Sequence, residues 1–156
     1  MDTSLRGPRP VEPPVTAIDH LGIAVSKLEE ALPFWCDLLG MELAGIEVVA
    51  SEKVRVAILR PKGDAQAARV ELLEPTAPDS PIARHLEKRG PGLHHVAMKV
   101  DDIAARMVAL AAAGKPALEA TPRVGAGGCM VAFLHPKLAG GVLLELSQPP
   151  AGGARH

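Results

Sequence analysis

The chain of 156 residues is 47% hydrophobic and 22% charged with a formal net charge of −1, the profile of a globular domain with no electrostatic attraction to nucleic acid or an anionic membrane. Aromatic residues are 2% of the chain and tyrosine is missing, so platforms for stacking single-stranded bases are not expected. No apolar run reaches the length of about 18 residues needed for a membrane span.

In chain order, MDTSLRGPRPVEPP is rich in proline and charge and has no apolar signal core, so residues 1–16 read as a disordered arm. AIDHLGIAV follows as a strand. SKLEEALPFWCDLLG places Leu28, Ala31, Leu32, Trp35, Leu38 and Leu39 on one helical face, with Ser26 as the expected N-cap, Gly40 as the stop and Pro33 as a kink. MELAGIEVV, VRVAILRP and ARVELLEP are strand candidates separated by polar or glycine-containing turns.

The series then recurs. LHHVAMKV is strand-like, DDIAARMVALAAAG is an amphipathic helix capped by Asp101 or Asp102, and PALEATPRV, CMVAFLHP and GVLLELSQP supply strands. HLGIAV at 20–25 matches HVAMKV at 95–100, and VAILRP at 56–61 matches VAFLHP at 131–136, both at an offset of 75. VELLEP at 70 matches LELSQP at 144, an offset of 74. The period fits two copies of a βαβββ unit, module one over 17–89 and module two over 90–150, forming one domain with a loose tail at 151–156.

The repeat makes His20 equivalent to His95, and Glu71 equivalent to Glu145. Glu145 interrupts GVLLELS, a run that otherwise reads as buried on both faces, and an unpaired buried carboxylate costs several kcal/mol, so a proton, an ion pair or a cation is required there. Two imidazoles and two carboxylates at repeat-equivalent positions match a divalent transition metal with positions left for water or substrate. His94 aligns with Asp19, a polar residue on the opposite face, and reads as a surface residue or as a support behind the metal ligands. His85 and His156 read as solvent-facing, and His135 as a strand-end residue. Cys36 and Cys129 stand far apart with no partner that suggests a nucleophile or disulfide, which suits a reducing, cytoplasmic setting. TPRVGAGGCM reads either as a flexible turn or as backbone amides that approach a ligand.

With these residues in place, the chain resembles the vicinal oxygen chelate superfamily, whose members include glyoxalase I, extradiol dioxygenases and bleomycin-resistance proteins. Within it the chain looks most like the methylmalonyl-CoA epimerase family, on IDHLGIAV, ELLEPTAPDSPIARHLEKRGPGLHHVAMKVDDI and VGAGGCMVAFLHPKLAGGVLLELSQ. The resemblance implies an α+β fold in which two βαβββ modules form a curved mixed sheet around a metal site. It implies a divalent ion, Co²⁺ first and Mn²⁺, Ni²⁺, Zn²⁺ or Mg²⁺ as alternatives, held by His20, Glu71, His95 and Glu145. Some members have glutamine where Glu71 stands here.

The activity implied is interconversion of (2R)- and (2S)-methylmalonyl-CoA, in propionate metabolism, by removal and return of the C2 proton through a metal-stabilised enolate. Inversion is met most simply by two acid–base groups. Glu145 is one candidate. Some members have a second glutamate base at the position of Val56, which transfers no proton, leaving Glu71, Glu52 or a water held by the metal; Glu71 is favoured. The partners implied are an acyl-CoA substrate and a second copy in a homodimer, with neither nucleic acid nor membrane. A glyoxalase I-like lactoylglutathione lyase would use the same ligand positions, and a metal-free drug-binding module would need none of them. The DSPIA…HLEKRG…GLHH context separates the epimerase from the first, and the full ligand set separates it from the second.

Overall fold

The computed structural model describes residues 14–152. The expected arm lies outside the described residues as far as residue 13, and the last four residues, including His156, lie outside them too. Strand β1 (Val15–Ala24) already begins inside the span expected to be arm. It is followed by α1 (Leu28–Leu32), β2 (Glu42–Val49), β3 (Val54–Arg60) and β4 (Arg69–Pro75). Helix α2 (Pro81–Arg89) then links to β5 (Gly92–Val100), α3 (Ile103–Ala112), β6 (Arg123–Val124), β7 (Met130–Leu134) and β8 (Leu144–Gln148).

The strands form one mixed sheet in the order β2-β3-β4-β1-β5-β8-β7-β6. β1 pairs parallel with β4, β5 pairs parallel with β8, and β1 and β5 meet antiparallel at the centre. Each βαβββ module therefore supplies four adjacent strands, and the second half mirrors the order of the first. The sheet curls until its ends meet. The Gly127 amide, just past β6, donates to Glu47 Oε2 on β2 at 2.8 Å, and Arg123 Nη1 lies 2.7 Å from Glu52 Oε1.

The strand period of two divides the core. Ala57, Leu59, Val70 and Leu72 pack under α1 with Leu28, and Ala132, Leu134 and Leu146 pack under α3 with Ile103 and Met107. The alternate residues Val54, Val56, Ile58 and Leu73 face the inside of the curl with Ile82 of α2. Full burial of each such aliphatic side chain stabilises by about 1.5–3 kcal/mol, so the helices hold the outer face while the inner face stays open.

Several local expectations are corrected. Lys27, not Ser26, is the N-cap of α1, and no side chain of its own caps it. The Leu28 amide instead donates to Glu74 Oε2 at the end of β4 (2.7 Å), and in the second module the Ile103 amide donates to Gln148 Oε1 at the end of β8 (2.8 Å). The repeat has thus kept a cross-strand helix cap in both halves. Asp102 is the N-cap of α3, its carboxylate accepting from the Ala105 amide at 3.0 Å. At Pro33, which has no N–H to continue the ladder, α1 widens into a π-helical turn over Pro33–Leu38 before Gly40 (φ +73) ends it. Of PALEATPRV only Arg123–Val124 is strand. Upstream, the Leu118 amide reaches Phe133 O, but the Phe133 amide is taken by the Glu119 side chain (2.8 Å), and Pro116 and Pro122 bracket the segment.

Candidate metal centre

The β1–β5 pairing brings the two histidines together. His20 is opposite Ala97, and Gly22 is opposite His95. On the flanking strands Gly22 neighbours Glu71, and Ala97 neighbours Glu145. Two cross-strand rows result, Glu71–Gly22–His95 and His20–Ala97–Glu145, each with a small residue in the middle. The small residues leave room above the sheet. A Cβ at Gly22 would lie 2.1 Å from His95 Cε1, so only glycine lets that ring lie where it does.

All four predicted ligands are buried, His20 and His95 each 5% exposed. His20 Nε2 lies 3.1 Å from His95 Nε2; Glu145 places Oε2 3.2 Å from His95 Nε2 and Oε1 3.8 Å from His20 Nε2. His20, His95 and Glu145 thus present one atom each to a common point. Glu71 falls in a second trio with Asp19, its Oε2 3.0 Å from Nδ1, the other nitrogen of His20. The two carboxylates therefore approach opposite edges of one imidazole.

Asp19 and His94 do not face outward, and of the two places expected for His94 it takes the supporting one, against a ligand. The register of β1 against β5 slips by one residue at Asp19 and again at His94, and such bulges break the strict alternation of faces. Asp19 is buried, with Oδ2 2.7 Å from His20 Nδ1, and His94 Nδ1 lies 2.9 Å from His95 Nδ1. His85, expected in solvent, is half-buried on α2 with its ring edge-on to His94 at 5.0 Å. His135 does end β7, where it caps the following turn by accepting from the Lys137 amide.

The donor set suits a divalent cation. With Nδ1 of neutral His20 donating to Asp19, its Nε2 is a lone-pair acceptor aimed at another imidazole nitrogen and a carboxylate. Acceptors converging in a buried space repel unless a positive charge lies among them. Protonation equilibria report the same demand. Burial opposes charge on His20, but Glu71, Asp19 and Glu145 outweigh it and raise its pKa well above the usual value. Burial pushes Glu145 up to about 7, with His20 opposing and Glu71 adding to the rise. His95 is pressed well below the ordinary value by burial and then by His20 and His94.

These groups line a cavity of about 290 Å³ inside the curl. Much of its wall is apolar, from Val54, Val56, Ile58 and Leu73, with Arg69, Arg123 and Ser147 also lining it, and Phe133 stands edge-on to His95 at 5.6 Å. Val56, 2% exposed, belongs to this apolar wall. Glu52 also lines the cavity but is engaged by Arg123. The sequence reading passed over Gly22, although a glycine inside a strand is itself a sign of close approach by another group.

A family model for the glyoxalase/bleomycin resistance protein/dioxygenase superfamily matches residues 19–133. The mitochondrial methylmalonyl-CoA epimerase of Mus musculus is 36% identical over 84% of this chain and 72% of its own. The crystal structure of methylmalonyl-CoA epimerase from Mycobacterium tuberculosis superposes with a TM-score of 0.82 at 40% identity, covering 87% of this chain and 89% of that one. A methylmalonyl-CoA epimerase in complex with methylmalonyl-CoA and NH4+ superposes with a TM-score of 0.81 at 37% identity, over 88% of this chain and 96% of the other.

Proposed function

The chain belongs to the glyoxalase/bleomycin resistance protein/dioxygenase superfamily, and we propose that within it the protein is a metal-dependent methylmalonyl-CoA epimerase. The observation that carries the reading is the pair of buried carboxylates, Glu145 and Glu71, at opposite edges of His20 in a largely apolar cavity. It is joined by similarity to proteins that bear that name.

His20, His95 and Glu145 hold the ion, Glu71 joins as fourth ligand once its carboxylate turns from the Nδ1 edge of His20 toward the Nε2 side, and Co²⁺ is the proposed occupant because a mixed imidazole–carboxylate set suits a borderline transition ion. Once bound, the ion supplies Lewis acidity that stabilises the negative charge developing on the thioester oxygen. Glu145 and Glu71 hold and move the proton at C2, one on each side, because a planar carbanion must be reprotonated from the face opposite the one it lost. Without the ion, burial raises Glu145 to about 7, and binding of the cation removes that proton, leaving the carboxylate charged and able to accept one. Apolar Val56 and its neighbours exclude water, which strengthens these electrostatic terms. Asp19 and His94 hold the two imidazoles in position through their Nδ1 atoms.

The same reading takes residues 17–150 as one domain, working as a homodimer in the cytoplasm within propionate metabolism. Two free cysteines suit a reducing compartment, and among the described residues no helix is long and apolar enough to cross a membrane.

Activity on two substrates tests the assignment. The Co²⁺-loaded protein should convert (2R)-methylmalonyl-CoA to the (2S) form and leave the hemithioacetal of glutathione and methylglyoxal untouched. Turnover of the hemithioacetal alone would make the protein a lyase.

A further inference from the structure

The repeat lines both halves of the metal cavity with equivalent residues. Val54, Val56, Ile58 and Leu73 face it from module one. Their counterparts at offsets of 75 or 74, Cys129, Val131, Phe133 and Ser147, face it from module two. The strand pairing is the same in each half. Val56 is opposite Leu73 and Ile58 opposite Glu71 between β3 and β4, while Val131 is opposite Ser147 and Phe133 opposite Glu145 between β7 and β8. Each buried carboxylate therefore has one large apolar neighbour across its strand pair, Ile58 or Phe133.

Equivalent places carry different chemistry. The first wall is wholly aliphatic, and it packs with Ala24 and with Ile82 of α2. Along β4, Glu71 separates this wall from Arg69. The second wall is mixed. The Arg123 guanidinium lies over the Phe133 ring at 5.2 Å, held by Glu52 at 2.7 Å and Glu119 at 3.4 Å. Where module one has Leu73, module two has Ser147, a buried hydroxyl with no hydrogen-bond partner among the described residues. An apolar ligand surface placed there would leave that hydroxyl unpaired.

A 2-alkylmalonyl thioester has one part at its reacting centre with no polar atom, the alkyl group on C2. Against the second wall that group would desolvate Ser147 and the Arg123 network and return no hydrogen bond; against the first it meets only methyl and methylene groups. We propose that the aliphatic wall of module one holds the C2 alkyl group of the substrate, with Val56 setting the size admitted. The placement rests on the epimerase reading of the cavity. A planar carbanion keeps its alkyl group in the plane while the proton leaves one face and returns to the other, so one pocket serves both epimers. The valine that transfers no proton is then a specificity residue.

The test uses the repeat as its own control. Val56→Ala and Val131→Ala remove the same volume from equivalent places on the two walls, and circular dichroism checks that each variant folds. Each is assayed, Co²⁺-loaded, on methylmalonyl-CoA and on its 2-ethyl homologue, ethylmalonyl-CoA. The ratio of kcat/KM for the ethyl to the methyl substrate should rise about tenfold in Val56→Ala, the scale of one methylene in an apolar pocket. In Val131→Ala the ratio should stay within about twofold of wild type. An unchanged ratio in folded Val56→Ala, or an equal rise in Val131→Ala, would overturn the proposal. If Val56→Ala does not fold, Ile58→Val, a smaller truncation of the same wall, decides by the same criterion. If the wild-type protein turns over neither thioester, the epimerase reading fails, and calorimetric titration of the Co²⁺-loaded protein with methylmalonate and ethylmalonate still decides the wall. A gain for ethylmalonate over methylmalonate in Val56→Ala alone supports it. No gain, the same gain in Val131→Ala, or no binding by wild type overturns it.

Discussion

Asp19 and His94 occupy the same place in the two halves of the molecule. Each is the extra residue of a bulge in the β1–β5 pairing, and each lies against Nδ1 of the histidine that follows it, at 2.7 Å and 2.9 Å. A bulge turns a side chain that alternation would send outward back toward the cavity. The repeat has therefore duplicated the support of each candidate ligand along with the ligand itself, one support anionic and the other a neutral imidazole, its pKa lowered by burial to about 4.

Asp19→Asn removes the anion that fixes the His20 tautomer while keeping its shape. The affinity for Co²⁺ should fall on the order of tenfold, read by competition with a chromogenic chelator. An unchanged affinity would mean that Asp19 does not orient His20.

Gly22→Ala tests the close approach directly. The added methyl would meet the His95 ring at 2.1 Å, so the ring must leave its place. The metal affinity should fall on the order of 100-fold, with the far-ultraviolet circular dichroism unchanged. Wild-type affinity in a folded Gly22→Ala protein would show that His95 is not a ligand.

Protons and the metal compete for the same atoms, and the sign follows from the two raised groups. His20 is held protonated well above its usual range, and Glu145 titrates near 7, so both must give up a proton before they ligate. Affinity should rise with pH between about 6 and 8, with release of about one to two protons per ion, measured calorimetrically in buffers of differing ionisation enthalpy. His95 is already neutral there and adds nothing to the slope. A pH-independent affinity would contradict the raised values.

If Glu145 and Glu71 serve opposite faces of the substrate, their amide variants should differ in kind from a loss of binding. Glu71→Gln should lower epimerisation on the order of 100-fold or more yet leave solvent exchange from one epimer, followed separately for each epimer by NMR. Glu52→Gln, which removes one of the two carboxylates at Arg123, should leave the stereochemistry of exchange as in wild type. The reverse pattern would move the second base from Glu71 to Glu52.

The repeat was legible because its offsets are nearly constant. Spacings of 75 from His20 to His95 and 74 from Glu71 to Glu145 singled out four residues that the fold buries around one cavity. The inward turn of Asp19 and His94 was not legible, because a bulge is decided by how two strands register and leaves no mark in either strand alone. Helix α2 passed unread as an element although Ser80 accepts from the Ile82 amide as N-cap, Pro81 opens it and Gly90 closes it, signals that were present in the sequence. PALEATPRV looked like a full strand because periodicity does not register that Glu119 takes the Phe133 amide in place of a backbone carbonyl.

The metal-loaded cavity should labilise the C2 proton of methylmalonyl-CoA, which is read by incubating the Co²⁺-reconstituted protein with (2R)-methylmalonyl-CoA in D₂O and following C2 by NMR. Deuterium should appear at C2 together with approach to an equal mixture of epimers, and both should be lost in Glu145→Gln. A C2 proton that persists with the metal bound, or full exchange by Glu145→Gln, would contradict this chemistry.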